Sequence, residues 1–460
     1  MSQEPQDEQQ PSPPTSPRWL VVTLVAALCA VASGQAQAQD VGVAAEDEPL
    51  PRGLYVGQLQ LHPGLFIEGG YDSNVFFEDD SENPSNATKL NGVIKLGVET
   101  PRPKKAQLDL EVGLTYSELF AEEQAIQNQS GVTAFGRGTL LFNPNGSVAV
   151  GVFDYFRRTN EAPNTFSSAT FNRFSNEAGG ILKIQPGGKL LTLDLEGSYA
   201  VVRNGIVDDL DHNIVRLGAQ GKWKFLPKTA FVLVASQRFI NYEQSTRDTV
   251  NDNIPEDSLA NINSSPLRVE GGLNGLIFTR ISATAMIGYG NSFYEDGPSF
   301  SGLIGRAEAG YEIGPTSQFR LGYHRNFEDS SFGNYATFHR VFARYNHLIG
   351  GIFNLRLEGT YTLRQFAPVA NPILLGDVME EGAPARRYGN SNPDPYERVD
   401  PLYGAEAEGT FRVFDIWRVG GRYQLTVNDT DFFSITGQGD LFSPGRFVKH
   451  EAYLTTGVEW

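Results

Sequence analysis

The groups in this chain that could do chemistry are mostly arginines and carboxylates, and they fall on alternate positions of apolar segments. Arg320, His324, Arg356, Glu358, Arg364, Arg412, Arg418 and Arg422 occupy the polar parity of segments in the second half, and Asp194 and Glu196 do so in the first. Guanidinium forks and carboxylates both hydrogen-bond hydroxyl groups, and guanidinium also pairs with anions. A wall of such residues suits the passage of an anionic or hydroxyl-rich polymer. The plainer alternative is that opposite charges pair across neighbouring strands and only satisfy a polar surface. Acid–base or metal chemistry has less to stand on. None of the 6 histidines lies in a His-Glu-x-x-His arrangement, and there is no Gly-x-Ser-x-Gly or phosphate-cradling loop. His212, His324, His339, His347 and His450 read as wall or interface residues. No catalytic residue, metal site or cofactor is expected, and the chain is not expected to be an enzyme. Glu78, Asp79, Asp80, Glu82 and Asn83 form an acidic cluster without EF-hand spacing, which reads as solvated surface.

The elements that must position these side chains have a period of two. Leu108, Leu110, Val112, Leu114 and Tyr116 oppose Asp109, Glu111 and Thr115. Leu191, Leu193, Leu195 and Tyr199 oppose Thr192, Asp194, Glu196 and Ser198. Phe353, Leu355, Leu357 and Tyr361 oppose Asn354, Arg356, Glu358 and Thr362. The final stretch, 447–460, places Leu454, Thr456, Val458 and Trp460 on one parity and Lys449, Glu451, Tyr453 and Glu459 on the other. An apolar face ending in an aromatic residue at the carboxyl terminus belongs at a lipid–water boundary, and those four residues are expected to be the barrel-assembly signal. The apolar parities look lipid-like all round, which favours a monomer over a trimer.

Connections alternate in length. The short ones are 101–104, 143–146, 186–188, 226–228, 279–280, 314–316, 350–351 and 414–415, rich in Gly and Pro. The long ones are about 76–88, 121–130, 159–171, 203–211, 244–263, 293–299, 328–334, 367–399 and 429–445. Short turns on one rim and long loops on the other predict an all-β, transmembrane, antiparallel up-and-down β-barrel of 18 strands. Segments 229–243 and 264–279 alternate least cleanly, which leaves 16 as the other count. Eighteen strands tilted about 40° give a backbone radius of roughly 18 Å and a lumen of roughly 15 Å. The longest loop, 367–399, carries five prolines and reads either as a lid folded into the lumen or as a stiffened surface loop.

Residues 1–38 read as a signal peptide: an apolar run from Trp19 to Ala32 is followed by Ala36-Gln37-Ala38. The acidic residues Glu4, Asp7 and Glu8 ahead of it are unusual. Residues 39–60 read as an acidic, proline-punctuated periplasmic arm, and 61–460 as the barrel. No later run approaches the length of a transmembrane helix, so a secreted chain of this kind crosses a membrane only as a barrel. The net charge of -17 argues against nucleic acid as a partner.

Pro63-Gly64-Leu65-Phe66 followed by Gly70-Tyr71-Asp72-Ser73-Asn74-Val75-Phe76 resembles the opening strand of the β-barrel porin 2 family, with Tyr71, Asp72, Ser73 and Asn74 as the recognisable part. These are outer-membrane barrels found with exopolysaccharide synthesis and export genes, including those of myxobacteria. The resemblance implies a porin that secretes an exopolysaccharide. The partners it implies are outer-membrane lipid and lipopolysaccharide, the barrel-assembly machinery, the polysaccharide cargo and a periplasmic polysaccharide-export protein. The same residues also read as a strand cap that shapes the first loop. A general or solute-selective diffusion porin is the alternative, and an adhesin or enzyme acting through its loops is the third reading.

Overall fold

The computed structural model describes residues 53–78, 84–160, 172–205, 211–243, 262–330, 334–367, 398–414, 416–430, 434–435, 441–442 and 446–460. The expected signal peptide, most of the arm and most of the connection 367–399 lie outside these residues.

A short strand, β1 (Leu54–Val56), precedes the first barrel strand, β2 (Leu59–Asp72). The ring continues through β3 (Ala87–Glu99), β4 (Ala106–Phe120), β5 (Gly131–Phe142), β6 (Val148–Thr159) and β7 (Arg173–Ile184). Next come β8 (Leu191–Asn204), β9 (His212–Leu226), β10 (Thr229–Tyr242), β11 (Leu267–Phe278) and β12 (Ile281–Asn291). Then follow β13 (Ser301–Gly314), β14 (Ser317–Asp329), β15 (Tyr335–Ile349), β16 (Phe353–Phe366), β17 (Val399–Val413) and β18 (Trp417–Asn428). A two-residue pair, β19 (Ser434–Ile435) and β20 (Leu441–Phe442), stands before the last strand, β21 (Phe447–Glu459).

Each barrel strand pairs antiparallel with the next, and β21 closes the ring on β2, from Gly64 opposite Glu459 to Asp72 opposite Glu451. The barrel therefore has 18 strands. Segments 229–243 and 264–279 span as β10 and β11, so the alternative of 16 does not hold. Their alternation is weak for local reasons. Gln237 stands on the outward parity of β10, where its Nε2 donates to the carbonyls of Arg238 (3.2 Å) and Ser265 (2.7 Å). β11 carries Gly271, Gly272 and Gly275. β1 pairs with Leu59–Leu61 of β2, so the pairing begins a little before residue 61. Followed once around the ring, the strand registers return to β2 displaced by about 22 residues, which corresponds to a tilt of about 40°.

The outward parity is apolar and exposed. Leu114, Val150, Leu195, Leu233, Leu273, Ile287, Leu321, Leu357 and Leu454 all project away from the lumen. Two aromatic girdles bound this belt. Phe142, Trp223, Phe278, Phe411 and Trp417 lie toward the short turns, and Tyr71, Tyr199, Tyr289, Tyr361 and Tyr403 toward the long loops. Apolar outside, polar inside and aromatic at both borders is the arrangement of a membrane-spanning barrel. The belt is not lipid-like all round, however. Asp154 on β6 and Asn176 on β7 take outward positions and hydrogen-bond each other at 3.0 Å. That part of the sequence expectation is corrected.

Inside, glycines face aromatic rings across the ladder. Phe66 lies opposite Gly457, and Tyr453 opposite Gly70, so the closing seam carries two reciprocal pairs. The same arrangement recurs at Gly113/Phe135, Phe153/Gly179 and Gly322/Phe342. At all five glycines an added Cβ would overlap the facing ring. The ring thus lies flat over its partner strand and fills the wall without intruding into the lumen.

Candidate functional site

Arginines gather on the lumen wall from β9 to β15, with one histidine among them. Arg216 of β9 faces Arg238 of β10 directly, and Arg306 of β13, His324 of β14 and Arg340 of β15 form one continuous row. Arg268 of β11 lies opposite Ser236, two residues from Arg238. At a tilt of about 40°, a line of constant height slips about 1.2 residues in register per strand. Along that line these six side chains stand at one level and form an arc over nearly half of the wall. On β12 the inward residues in this arc are Gly288 and Gly290; a Cβ at Gly288 would overlap the β11 backbone and Glu270, and one at Gly290 the Phe327 ring.

Each member of the arc holds a buried nitrogen with no acceptor among the described residues: Nε of Arg216, Arg238, Arg306 and Arg340, Nη1 of Arg268, and Nε2 of His324. Their other contacts set their positions. Arg216 Nη1 donates to both carboxylate oxygens of Glu177, at 2.7 and 3.0 Å. Arg268 lies over the Phe327 ring at 4.0 Å and donates to Asn326 Oδ1 (3.1 Å) and the Phe327 carbonyl (2.7 Å). Phe327 is buried with Phe300 and Ile304 at the long-loop rim, which makes this anchor rigid. Nearby Tyr294 donates to Asp329 Oδ1 at 2.6 Å, and burial, then the Asp329 charge, push its phenol above the usual range.

Below the arc, Glu358 of β16 collects three arginines. Arg344 Nε lies at 2.8 Å, Arg356 Nη2 at 3.1 Å and Arg340 Nη2 at 3.5 Å. Arg320 faces Arg344 across β14 and β15, and Arg412 faces Arg418 across β17 and β18. Like charges directly opposite each other weaken a sheet. Acids here are outnumbered, with Glu270 beside Arg268 and Arg306, whereas in the other half opposite signs pair one to one. There Arg137 meets Glu111 at 2.9 Å and Lys183 meets Asp194 at 3.8 Å. Glu196 lies within electrostatic reach of Arg216 and Glu177.

The expected lumen residues all face inward, but they do not form one site. Arg320, His324, Arg356, Glu358 and Arg364 belong to the β13–β16 wall, where Arg364 lies 3.6 Å from Glu328. Arg418 pairs with Glu459 at 3.0 Å, and Arg422 lies over the Tyr453 ring at 5.0 Å, so both brace the seam. Asp194 and Glu196 belong to the paired wall. Arg238 is absent from the sequence expectation because the weak alternation of β10 does not orient it. Its register opposite Arg216 does.

The opening-strand residues also serve the seam. Asp72 is fully buried and holds Lys89 Nζ at 2.6 Å and Lys449 Nζ at 3.0 Å. Asn74 donates to the Glu78 carbonyl (2.7 Å) and accepts from the Glu78 N–H (2.8 Å), which shapes the first loop. Ser73 and His450 exchange two bonds, at 3.0 and 2.8 Å, and Tyr71 points outward. At the other end the Trp460 N–H donates to the Pro63 carbonyl (3.1 Å), and Trp417 Nε1 donates to Thr456 (2.9 Å). Leu454 and Val458 share that outward face. Among the described residues no group of His, Cys, Asp and Glu is placed to hold a metal ion.

No protein-family model matches the chain, and no curated protein matches it. Solved barrels do. OprD of Pseudomonas aeruginosa is 11% identical with a TM-score of 0.43, covering 90% of this chain and 98% of that one. A BenF-like porin from Pseudomonas fluorescens Pf-5 is 10% identical with a TM-score of 0.49, covering 88% and 100%. OccK2 (OpdF) of Pseudomonas aeruginosa, solved in complex with glucuronate, is 10% identical with a TM-score of 0.48, covering 89% and 100%. At these values, what the barrel carries has to be argued from its own wall.

Proposed function

We propose that this chain is an outer-membrane channel for anionic, hydroxyl-rich cargo. The observation that carries the reading is the arc of Arg216, Arg238, Arg268, Arg306, His324 and Arg340, which register and tilt bring to one level of the lumen wall. Five guanidinium groups at one level attract anions and present N–H donors suited to carboxylates and sugar hydroxyls. The exposed apolar belt and its two aromatic girdles support placement in the outer membrane, with the short turns periplasmic.

The finer reading is secretion of an exopolysaccharide, in company with a periplasmic polysaccharide-export protein. The resemblance of the opening strand favours it, and a lumen of roughly 15 Å admits a sugar chain. Deleting the gene, staining surface polysaccharide and measuring small-solute uptake separates the cases. Lost polymer with normal uptake supports export. Intact polymer with reduced uptake of small anions makes the channel a solute porin. The channel reading itself is tested by reversal potential in a planar bilayer under a KCl gradient. Anion selectivity is expected, and a cation-selective or closed barrel would overturn it.

A further inference from the structure

Asp154 stands between Val152 and Phe156 on the outward parity of β6, near mid-height of the apolar belt. Asn176 of β7 donates Nδ2 to its Oδ1 at 3.0 Å and reaches the Tyr155 carbonyl at 3.4 Å. A carboxylate in this position faces hydrocarbon if nothing covers it, which is costly and rare without a function. The outward residues facing it across the ladder are small, Gly138 on β5 and Ala178 on β7, so the surface is shallow there. Four residues further along the strand, Arg158 is exposed and donates Nε to Asn172 at 3.1 Å. Asp154 and Arg158 are about 13 Å apart along β6.

We propose that this face is the interface with a second copy of the same chain, related by a two-fold axis parallel to the barrel axis and passing beside Phe156. Charge complementarity selects that occupant. Because β6 is tilted by about 40°, Asp154 and Arg158 fall on opposite sides of Phe156 and at different heights. A two-fold along the barrel axis keeps heights and exchanges sides. Each Arg158 therefore stands above the Asn176–Asp154 pair of the other copy, and its long stem carries the guanidinium down to the carboxylate. The contact is self-complementary, as an isologous interface requires. Gly138 lies close to the axis, where a small residue lets the two walls approach.

The proposal rests on the outer-membrane placement, which membrane fractionation of the same cells reports separately. The test is disulfide cross-linking in intact outer membranes, in a Cys29→Ser background. A Cβ at Gly138 meets only Leu110 Cδ1, at 3.4 Å, and one at Gly359 on distant β16 meets nothing within 4 Å. Gly138→Cys is expected to give a cross-linked dimer, and Gly359→Cys to stay monomeric. Adding Arg158→Leu, or Asp154→Asn, which keeps a hydrogen-bonding group for Asn176, is expected to reduce the dimer at least tenfold. Heat-modifiable migration on gels shows that the barrels are folded. No Gly138→Cys dimer in correctly fractionated membranes, equal cross-linking at Gly359→Cys, or an undiminished dimer in both charge variants would overturn the proposal.

Discussion

Replacing Arg238, Arg306 and Arg340 together by Gln tests the reading of the arc most directly. These three are chosen because Arg216 holds Glu177 and Arg268 anchors Phe327, so removing either would confound selectivity with structure, whereas Glu358, 3.5 Å from Arg340, keeps Arg344 and Arg356 when Arg340 is replaced. Take an anion passing about 6 Å from each guanidinium in a water-like dielectric. Each pair contributes roughly 0.7 kcal/mol by Coulomb's law, and screening at 0.1 M salt leaves about 0.4 kcal/mol. Three such losses amount to about 1 kcal/mol, or about fivefold in the local concentration of a monovalent anion. The cation gains by a similar factor, so the anion-to-cation permeability ratio falls on the order of 20-fold. The assay is the reversal potential of purified protein in a planar bilayer under a KCl gradient, with heat-modifiability as the folding control. A folded variant whose ratio stays within about twofold of the parent would refute the claim that the arc sets the field in the lumen.

Four further outcomes follow from the same geometry. Glu358→Gln frees Arg340, Arg344 and Arg356 from their shared acceptor, so anion selectivity rises; a fall in the same bilayer assay would contradict it. Raising KCl from 0.1 M to 1 M shortens the Debye length from about 10 Å to about 3 Å, and the selectivity of the parent collapses toward unity. Gly70→Ala forces a Cβ into the Tyr453 ring at the seam, at a cost of about 1–3 kcal/mol, read as a lower temperature for loss of the compact band on gels. Asp72→Asn leaves Lys89 and Lys449 without their buried carboxylate and costs about 3–5 kcal/mol, read as a lower urea midpoint with unchanged ion selectivity.

The barrel was legible because its signal is redundant. Most strands announce a parity, six of the eight short turns carry glycine or proline, and loop lengths alternate from rim to rim. The turn Gly350-Gly351 shows the last link. Both residues have positive φ, 61° and 74°, which only glycine adopts without strain. Where redundancy failed, the parity failed with it. On β10 the outward Gln237 breaks the apolar run, so the side on which Arg238 stands is not readable from the pattern. On β6 the outward Asp154 hides between Val152 and Phe156, in a segment otherwise apolar enough to read as lipid-facing.

The site was less legible for a geometric reason. A net charge of -17 says nothing about the field inside a barrel, because acids in loops and arms add to the sum without lining the lumen. Nor does inward parity separate a brace from a binding group. Arg418 and Arg306 carry the same side chain on the same parity, yet one reaches Glu459 at the seam and the other leaves its Nε without an acceptor among the described residues. Arg216 and Arg340 lie more than a hundred residues apart in the chain. Register puts their rows six residues apart, and the tilt, slipping about 1.2 residues per strand over six strands, brings them to about one height. Those two quantities follow from how the whole ring closes, from Gly64 opposite Glu459 onward. Local sequence names the cations; only the closed ring assembles them into an arc. This is why a replacement at the seam should change stability and leave selectivity alone, whereas one at Arg238, Arg306 or Arg340 should do the reverse.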